Sequence, residues 1–369
     1  MNITRHRVIV AGLGNVGRSL LEILQSQAEL LRERYGVAFV LVGAADSSGA
    51  ALDPDGLDIA AVLAAKAAGN GVATLPEVGK PGMGGIDLAR GLEADLLLEA
   101  TPVNLQTGQP GLDIVRTALG RGMPVVLANK GPLALAYQEL AALSDLAHDQ
   151  ELLRQANKQI GDPDTTVVVS RSPALRFSAC CGGAMPTINI GWRDLVGCRI
   201  ERVEAVLNGT TQGILRAMEG GGEYADALAE MQRRGIAETD PTLDVEGWDA
   251  ANKLVILANA VLGRPTTLAD LEVEGIANVT SAELREALAH RSRLVLLGLA
   301  EWIEGDYRLS VRPTALPLDH PLARMSGDEM GVVYHTDIAG RQSATTLERG
   351  PVPTAAAMLR DMIEIVVHQ

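Results

Sequence analysis

The densest set of chemically capable side chains lies between Gly235 and Lys253, GIAETDPTLDVEGWDAANK, which carries Glu238, Asp240, Asp244, Glu246, Asp249 and Lys253 in nineteen residues. Its first half contains Pro241 and no apolar period, so it reads as a loop. Its second half runs into WDAANKLVILANAVLG, an apolar-periodic stretch that stops at Gly263, so it reads as a helix. Asp244 stands where the N-cap of that helix is expected, with Glu246 in the first turn, where the helix dipole favours negative charge. Asp249 and Lys253 are four residues apart and share one helix face. The product is an ammonium held beside a carboxylate at the base of an acid-lined loop. That arrangement suits a proton donor next to a pocket for an ammonium-bearing substrate. The same spacing is also the ordinary pattern of an exposed ion pair on a capped helix.

A second constellation opens the chain. Arg7 to Ala11 (RVIVA) is a short, branched apolar run that reads as a buried parallel strand. Gly12-Leu13-Gly14-Asn15-Val16-Gly17 follows, and then a helical stretch from Arg18 to Tyr35. This is G-x-G-x-x-G between a strand and a helix, the arrangement that binds a dinucleotide. Gly12 permits the tight turn, Gly14 lets backbone approach a pyrophosphate, and Gly17 lets helix and strand pack closely. The free N–H groups at the helix start face the anion. The next strand, Val37 to Ala45, ends at Asp46, where an acid can grip the adenosine ribose hydroxyls. Asp46 lies 29 residues past Gly17, more than the usual spacing of about 20, because the first helix is long. A plain polar turn with Ser47, Ser48 and Gly49 is the other reading of Asp46.

These groups need a scaffold. A helix around Leu57 to Ala68, a strand at Asp95 to Ala100, a helix at Leu112 to Arg121, a strand at Pro124 to Leu127 and a helix from Leu133 to Leu152 alternate regularly. Such alternation predicts an α/β fold, a Rossmann-type doubly wound parallel sheet. Ligands bind outside the carboxyl ends of its strands, where Gly12, Asp46, Thr101, Pro102 and Lys130 all fall. Lys130 is also readable as a solvated loop lysine. The polar stretch 149–164 reads as a surface excursion. Beyond it the pattern changes to α+β. Phe177 to Pro186 is a glycine turn of small side chains. Ile200 to Leu207 reads as a strand leading into Asn208-Gly209-Thr210-Thr211, which can hold a carboxylate or cap the helix Gln212 to Met218. Leu228 to Arg234 is helical, Thr280 to Glu283 is a capping box opening a helix to His290, and Leu294 to Pro313 and Gly331 to Glu348 read as strands. The expected domains are 1–150 for the dinucleotide and 171–340 for substrate binding and dimerisation, with a last helix, 353–369, packing back on the first.

Composition narrows the classes. The 369 residues are 47% apolar, enough for two cores, and the formal net charge of -14 argues against nucleic acid, which needs a basic face. Cys180, Cys181 and Cys198 form no CxxC pair, and the six histidines are scattered without metal-ligand spacing. A reducing cytoplasmic setting fits this cysteine usage. No apolar run approaches the roughly eighteen residues of a membrane helix, and the N-terminus has no signal-peptide pattern.

Taken together, GLGNVGR, EATPVN (Glu99 to Asn104), ANKGPLA (Ala128 to Ala134), LNGTTQGIL (Leu207 to Leu215), the acidic loop with GWDAANK, and PTAAAMLRDMI near the end resemble homoserine dehydrogenase in that family's order. The resemblance spans nearly the whole chain. It corresponds to the short form, with neither an aspartokinase fusion nor an ACT domain. It implies reduction of L-aspartate 4-semialdehyde to L-homoserine with NADH or NADPH. It matches Lys253 to the proton donor and Lys130 to the lysine between nicotinamide and substrate. Asp244 and Asp249 match the acids around the reacting oxygen, and Glu238 the carboxylate on the substrate amine. Asn208 to Thr211 fall in the substrate-binding stretch, and Gly350 joins the cofactor group, in a turn that reads ERGPVPTA where the family is glycine-rich. A monovalent cation is bound in the family mainly by carbonyls matching Cys181, Gly183 and Met185, with a glutamate where Ser178 stands here. A homodimer formed through the second domain is implied as well. With Asp46 closing the second strand, NAD is expected over NADP. The alternatives are a dehydrogenase of the same scaffold acting on another small hydroxy amino acid, or a non-catalytic dinucleotide or amino-acid sensor; retention of both Lys130 and Lys253 speaks against the sensor.

Overall fold

A computed structural model describes residues 3–147, 172–237 and 240–367 of the chain. They form two compact units, Met1–Ala184 with Pro351–Gln369, and Met185–Gly350.

The first unit is built on a seven-stranded sheet. Its strands are β1 (Thr4–Ala11), β2 (Val37–Asp46), β3 (Gly49–Leu52), β4 (Gly79–Pro81), β5 (Leu96–Glu99), β6 (Val125–Leu127) and β7 (Leu175–Arg176), in spatial order β4-β3-β2-β1-β5-β6-β7. The run from β2 to β7 is parallel, as the Rossmann-type reading requires, while β3 and β4 add an antiparallel edge that the sequence reading left out. β3 is short, Gly-Ala-Ala-Leu, with no hydrophobic period to announce it. Val8, Ile9 and Val10 of β1 are fully buried, the condition of a strand covered on both faces. Helix α1 (Asn15–Ser26) lays Leu20, Leu21 and Leu24 on the core that also takes Met358, Met362 and Ile365 of the C-terminal helix Val352–Val367. That helix is fastened to β7 by the Arg176–Glu364 ion pair at 3.0 Å. Helices α2 (Ile59–Ala67), α3 (Gly85–Gly91), α4 (Gly111–Gly120) and α5 (Lys130–Ala142) complete the α/β layers. The helix expected from Leu133 begins earlier, at Lys130, because Asn129 caps it. The polar excursion 149–164 lies outside the described residues.

The second unit is a six-stranded, mainly antiparallel sheet with helices. In chain order it contains β8 (Ile200–Val206), α6 (Gly209–Glu219), α7 (Tyr224–Arg233), α8 (Thr242–Val245), α9 (Trp248–Ala260), β9 (Leu271–Val273), α10 (Ser281–Ala289), β10 (Ser292–Ile303), β11 (Asp306–Pro317), β12 (Met330–Thr336) and β13 (Arg341–Thr346). The stretches Leu294 to Pro313 and Gly331 to Glu348 are each a hairpin rather than a single strand. The first turns at Glu304 and Gly305, both at positive φ (52° and 95°), the two-residue turn whose twist matches the flanking strands. The Thr280–Glu283 capping box is formed as expected.

Candidate active site

Lys253 sits on α9, but the exposed-pair reading of its bond to Asp249 does not hold. The ammonium is 2.8 Å from Asp249 Oδ2, and the two side chains are only 14% and 7% exposed. The same Nζ donates to the Leu207 carbonyl at the end of β8, 2.7 Å away. A lysine gripped from a strand end and from its own helix has a fixed direction, which a proton donor needs. Asp244 is not the N-cap of this helix. It lies in the separate turn α8, and Gly247, at φ 87°, makes the left-handed link into α9 that only a glycine adopts without strain.

Asn208 joins these parts. Its Nδ2 donates to Asp244 Oδ1 at 2.7 Å and to Asp249 Oδ2 at 2.8 Å. Its Oδ1 accepts from the Thr211 N–H at 2.9 Å and so caps α6. The cap and substrate readings of this stretch are therefore not exclusive: one amide caps a helix and bridges two acids. Thr211 Oγ1 donates to the Asn208 carbonyl and Thr210 Oγ1 to the Ile236 carbonyl. Gly209 passes so close to Asp328 that an added Cβ would lie 3.0 Å from its carbonyl oxygen. Burial raises the pKa of Asp244, and the Asp249 charge raises it further, against opposing hydrogen bonds from Asn208 and Thr210 and the charge of Lys253. Glu238 lies outside the described residues. Its neighbour Asp240 binds the Thr242 N–H and hydroxyl, which hold its carboxyl below the usual range.

In the first unit the glycine turn has the geometry a pyrophosphate requires. A Cβ on Gly12 (φ 99°) would lie 2.3 Å from the Ala100 carbonyl, and one on Gly17 would lie 2.0 Å from the Gly12 oxygen. A Cβ on Gly14 would meet nothing within 4 Å, so the second glycine leaves the approach to the helix start open. Helix α1 has no side-chain N-cap, and Arg18 braces the turn through Asn15 Oδ1 at 2.7 Å, with Val16 half-buried beside it. These residues fit a dinucleotide phosphate group.

Asp46 closes β2 as expected, but it has a cation partner the sequence reading overlooked. Lys66 on α2 is 2.6 Å from Asp46 Oδ2, and Ser48 binds Oδ1 through both N–H and hydroxyl. Hydrogen bonds from Lys66, Ser48 and Val72 outweigh burial and lower the Asp46 pKa. Lys66 was invisible because it lies twenty residues on, across an edge hairpin.

At the ends of β5 and β6, Glu99 is fully buried and organises Thr101 and Asn129. Its Oε1 accepts from the Thr101 N–H at 2.9 Å and from the Thr101 hydroxyl. Asn129 caps α5 by accepting from the Gly131 N–H, while its Nδ2 donates to Thr101 Oγ1 at 3.2 Å and to the Pro102 carbonyl at 3.4 Å. Lys130 is the first residue of that helix and is half-buried. The acid at the start of EATPVN is a buried acid following an apolar run, which was the available signal for Glu99.

Cys181 is buried, and Gly182 and Gly183 both adopt positive φ (89° and 56°), so the backbone there folds tightly. In the second unit the Met185 carbonyl accepts from the Thr187 N–H at 2.8 Å. Ser178 does not leave its surroundings without a carboxylate: its N–H and hydroxyl bind the two oxygens of Asp361 at 2.8 and 2.6 Å. Gly350 is exposed at φ 72°.

The histidines are less scattered in space than in sequence. Glu204 Oε2 lies 3.1 Å from His320 Nε2 and 2.7 Å from His335 Nε2. Because His320 Nδ1 accepts from the Leu322 N–H, its Nε2 carries the proton and donates to Glu204. Arg202 holds the other carboxylate oxygen at 2.7 Å. The group is a hydrogen-bonded cluster.

Comparison with known proteins agrees with both units. The family model described as homoserine dehydrogenase, NAD binding domain, matches residues 12–158, and the one described as homoserine dehydrogenase matches residues 186–363. The homoserine dehydrogenase of Methanocaldococcus jannaschii is 36% identical over 97% of this chain and 98% of its own length. The NAD(+)-dependent homoserine dehydrogenase of Pseudomonas canavaninivorans is 31% identical over 100% of this chain and 97% of its own. Among solved structures, a putative homoserine dehydrogenase from Archaeoglobus fulgidus superposes with a TM-score of 0.80 at 29% identity, covering 98% of this chain and 99% of that one. With both units matched by the family's models and full-length relatives above 30% identity, the chain belongs to the homoserine dehydrogenase family.

Proposed function

We propose that this chain interconverts L-aspartate 4-semialdehyde and L-homoserine as an NAD(P)-dependent oxidoreductase, with Lys253 as the proton donor. The observation that carries the reading is the half-buried Lys253, held by the Leu207 carbonyl and Asp249 while Asn208 ties Asp249 to Asp244. The nicotinamide cofactor supplies or accepts the hydride when bound. Negative charge then grows on the aldehyde oxygen, and the Lys253 ammonium offsets it and delivers a proton. Asp249 and Asp244 keep the ammonium charged and aimed. The family resemblance gives Lys130 the second cationic role and Glu238 the substrate amine. Absorbance at the reduced-nicotinamide band, with L-homoserine against a panel of small hydroxy amino acids, tests the reading. Turnover selective for homoserine supports it, and selectivity for another member of the panel moves the substrate.

NAD is the preferred cofactor in this reading, because a 2′-phosphate would meet the Asp46 carboxylate. The Pseudomonas relative named for NAD(+) is consistent with that choice. Lys66 partly neutralises Asp46, so the preference is smaller than an unpaired acid would give. A monovalent cation at the carbonyls of Cys181, Gly183 and Met185, a homodimer built through the second unit, and a cytoplasmic setting belong to the same reading. Among the described residues no helix is long and apolar enough to cross a membrane. Activity with and without sodium or potassium at constant ionic strength tests the cation, and light scattering at micromolar concentration tests the dimer.

A further inference from the structure

We propose that Glu99 is a positioning residue for the cofactor end of the site, tying Thr101 at the end of β5 to Asn129, the cap of the helix that begins with Lys130. The inference rests on the reading that Thr101 and Lys130 border the cofactor.

Glu99 has 0% exposure, which is rare for a carboxyl group unless it is bonded for a purpose. One oxygen takes all its bonds: Oε1 accepts from the N–H and hydroxyl of Thr101, with Asn129 close enough to contribute a side-chain hydrogen bond. The Thr101 hydroxyl in turn accepts from Asn129 Nδ2 at 3.2 Å. The result is a closed triangle, Glu99–Thr101–Asn129, linking the loops that leave two adjacent strands. Oε2 finds no hydrogen-bond partner among the described residues. A carboxyl kept only for stability would be better replaced by an apolar side chain, because the orphan oxygen carries a desolvation cost. Gly111, at the start of α4, is shaped around the same triangle: a Cβ there would lie 2.6 Å from Asn129 Nδ2 and 3.1 Å from Glu99 Oε1. Three segments thus converge on one carboxyl group. Asn129 also fixes α5 through the Gly131 N–H at 3.0 Å, so the triangle sets where the helix, and with it Lys130, begins. Burial pushes the Glu99 pKa up to about 7, against the hydrogen bonds of Thr101 and Asn129, so a glutamine is a close mimic of its protonated form.

The test is a titration of the full chain with NADH, followed by reduced-nicotinamide fluorescence, alongside the KM for L-homoserine. Glu99→Leu keeps roughly the volume and removes the acceptor; it is expected to weaken NADH binding tenfold or more while the homoserine KM stays within about twofold. Glu99→Gln is expected to stay within about threefold of wild type in both. Wild-type NADH affinity in Glu99→Leu, equal losses in the leucine and glutamine variants, or equal losses for NADH and homoserine would each overturn the proposal. Should Glu99→Leu fail to fold, Gly111→Ala decides. It crowds the triangle while leaving the Glu99 side chain in place, is expected to weaken NADH binding by at least threefold, and contradicts the proposal if binding is unchanged. A wild-type chain that binds neither NADH nor NADPH would sink the cofactor reading itself and this proposal with it. A chain that binds NADH but ignores homoserine would sink only the substrate reading, since the fluorescence titration needs no turnover.

Discussion

Asn208 Nδ2 lies 2.8 Å from Asp249 Oδ2, the same oxygen that Lys253 Nζ approaches at 2.8 Å. One carboxylate oxygen therefore receives a neutral and a cationic donor, and the neutral donor also reaches Asp244. Bringing a buried acid and a half-buried one onto one amide is costly unless a cation balances them, and Lys253 is that cation.

Replacing Asn208 by alanine should expose this cost. The substitution removes the cap of α6, usually worth about 1 kcal/mol, and the donor shared by buried Asp249 and half-buried Asp244, worth roughly 1–3 kcal/mol more. We expect a drop of about 2–4 kcal/mol in urea-unfolding stability. Turnover should fall as well, because Asp249 is then free to move off Lys253. A stability within 1 kcal/mol of wild type, on the scale of an ordinary surface substitution, would show that the amide bridge is incidental.

Stability should also carry a pH signature from Glu99. Its pKa in the folded chain is about 7, above the unfolded value of 4.5, so the folded state holds the proton more tightly. The associated stability is fully present below pH 4.5 and is lost as pH rises through about 7. The shift corresponds to about 3 kcal/mol in total. Cys180 faces the same carboxyl group, and its own pKa is pushed well up by burial, so it remains a thiol throughout this range. Urea midpoints of wild type and Glu99→Gln measured from pH 5 to pH 8 should diverge, with wild type losing ground. Parallel curves would mean that Glu99 is ionised throughout.

Cofactor choice should respond to Asp46 and Lys66 in opposite directions. Asp46→Ala removes the like charge facing a 2′-phosphate and should shift the kcat/KM ratio toward NADP by about 5–150-fold, or 1–3 kcal/mol. Lys66→Ala removes the counter-charge and should shift it toward NAD. If neither substitution moves the ratio, Asp46 is a turn residue satisfied by Ser48 and Lys66, and cofactor choice is made elsewhere.

The first unit was legible where local chemistry dictates it. The glycine turn after an apolar strand announced its own role, and regular alternation of strand and helix gave the parallel sheet. The edge strands β3 and β4 were not legible, since GAAL and GKP have no period. The Asp249–Lys253 pairing followed from helical spacing, but its burial did not, because burial is decided by β8 and α6, far away in sequence. The same limit hid Lys66 from Asp46, Asn208 from the two acids, and His320 and His335 from Glu204. Asp244 was misplaced as an N-cap because Pro241 and Gly247 bracket a short helical turn that a propensity reading merges into the longer helix.

In the proposed reaction Lys253 donates the proton. Its most direct test is the turnover of Lys253→Ala with L-homoserine, measured beside its NADH affinity. We expect a fall in kcat of about 10²–10⁴, the range for a lost general acid, with NADH binding within about twofold of wild type. A variant that turns over at the wild-type rate would contradict it.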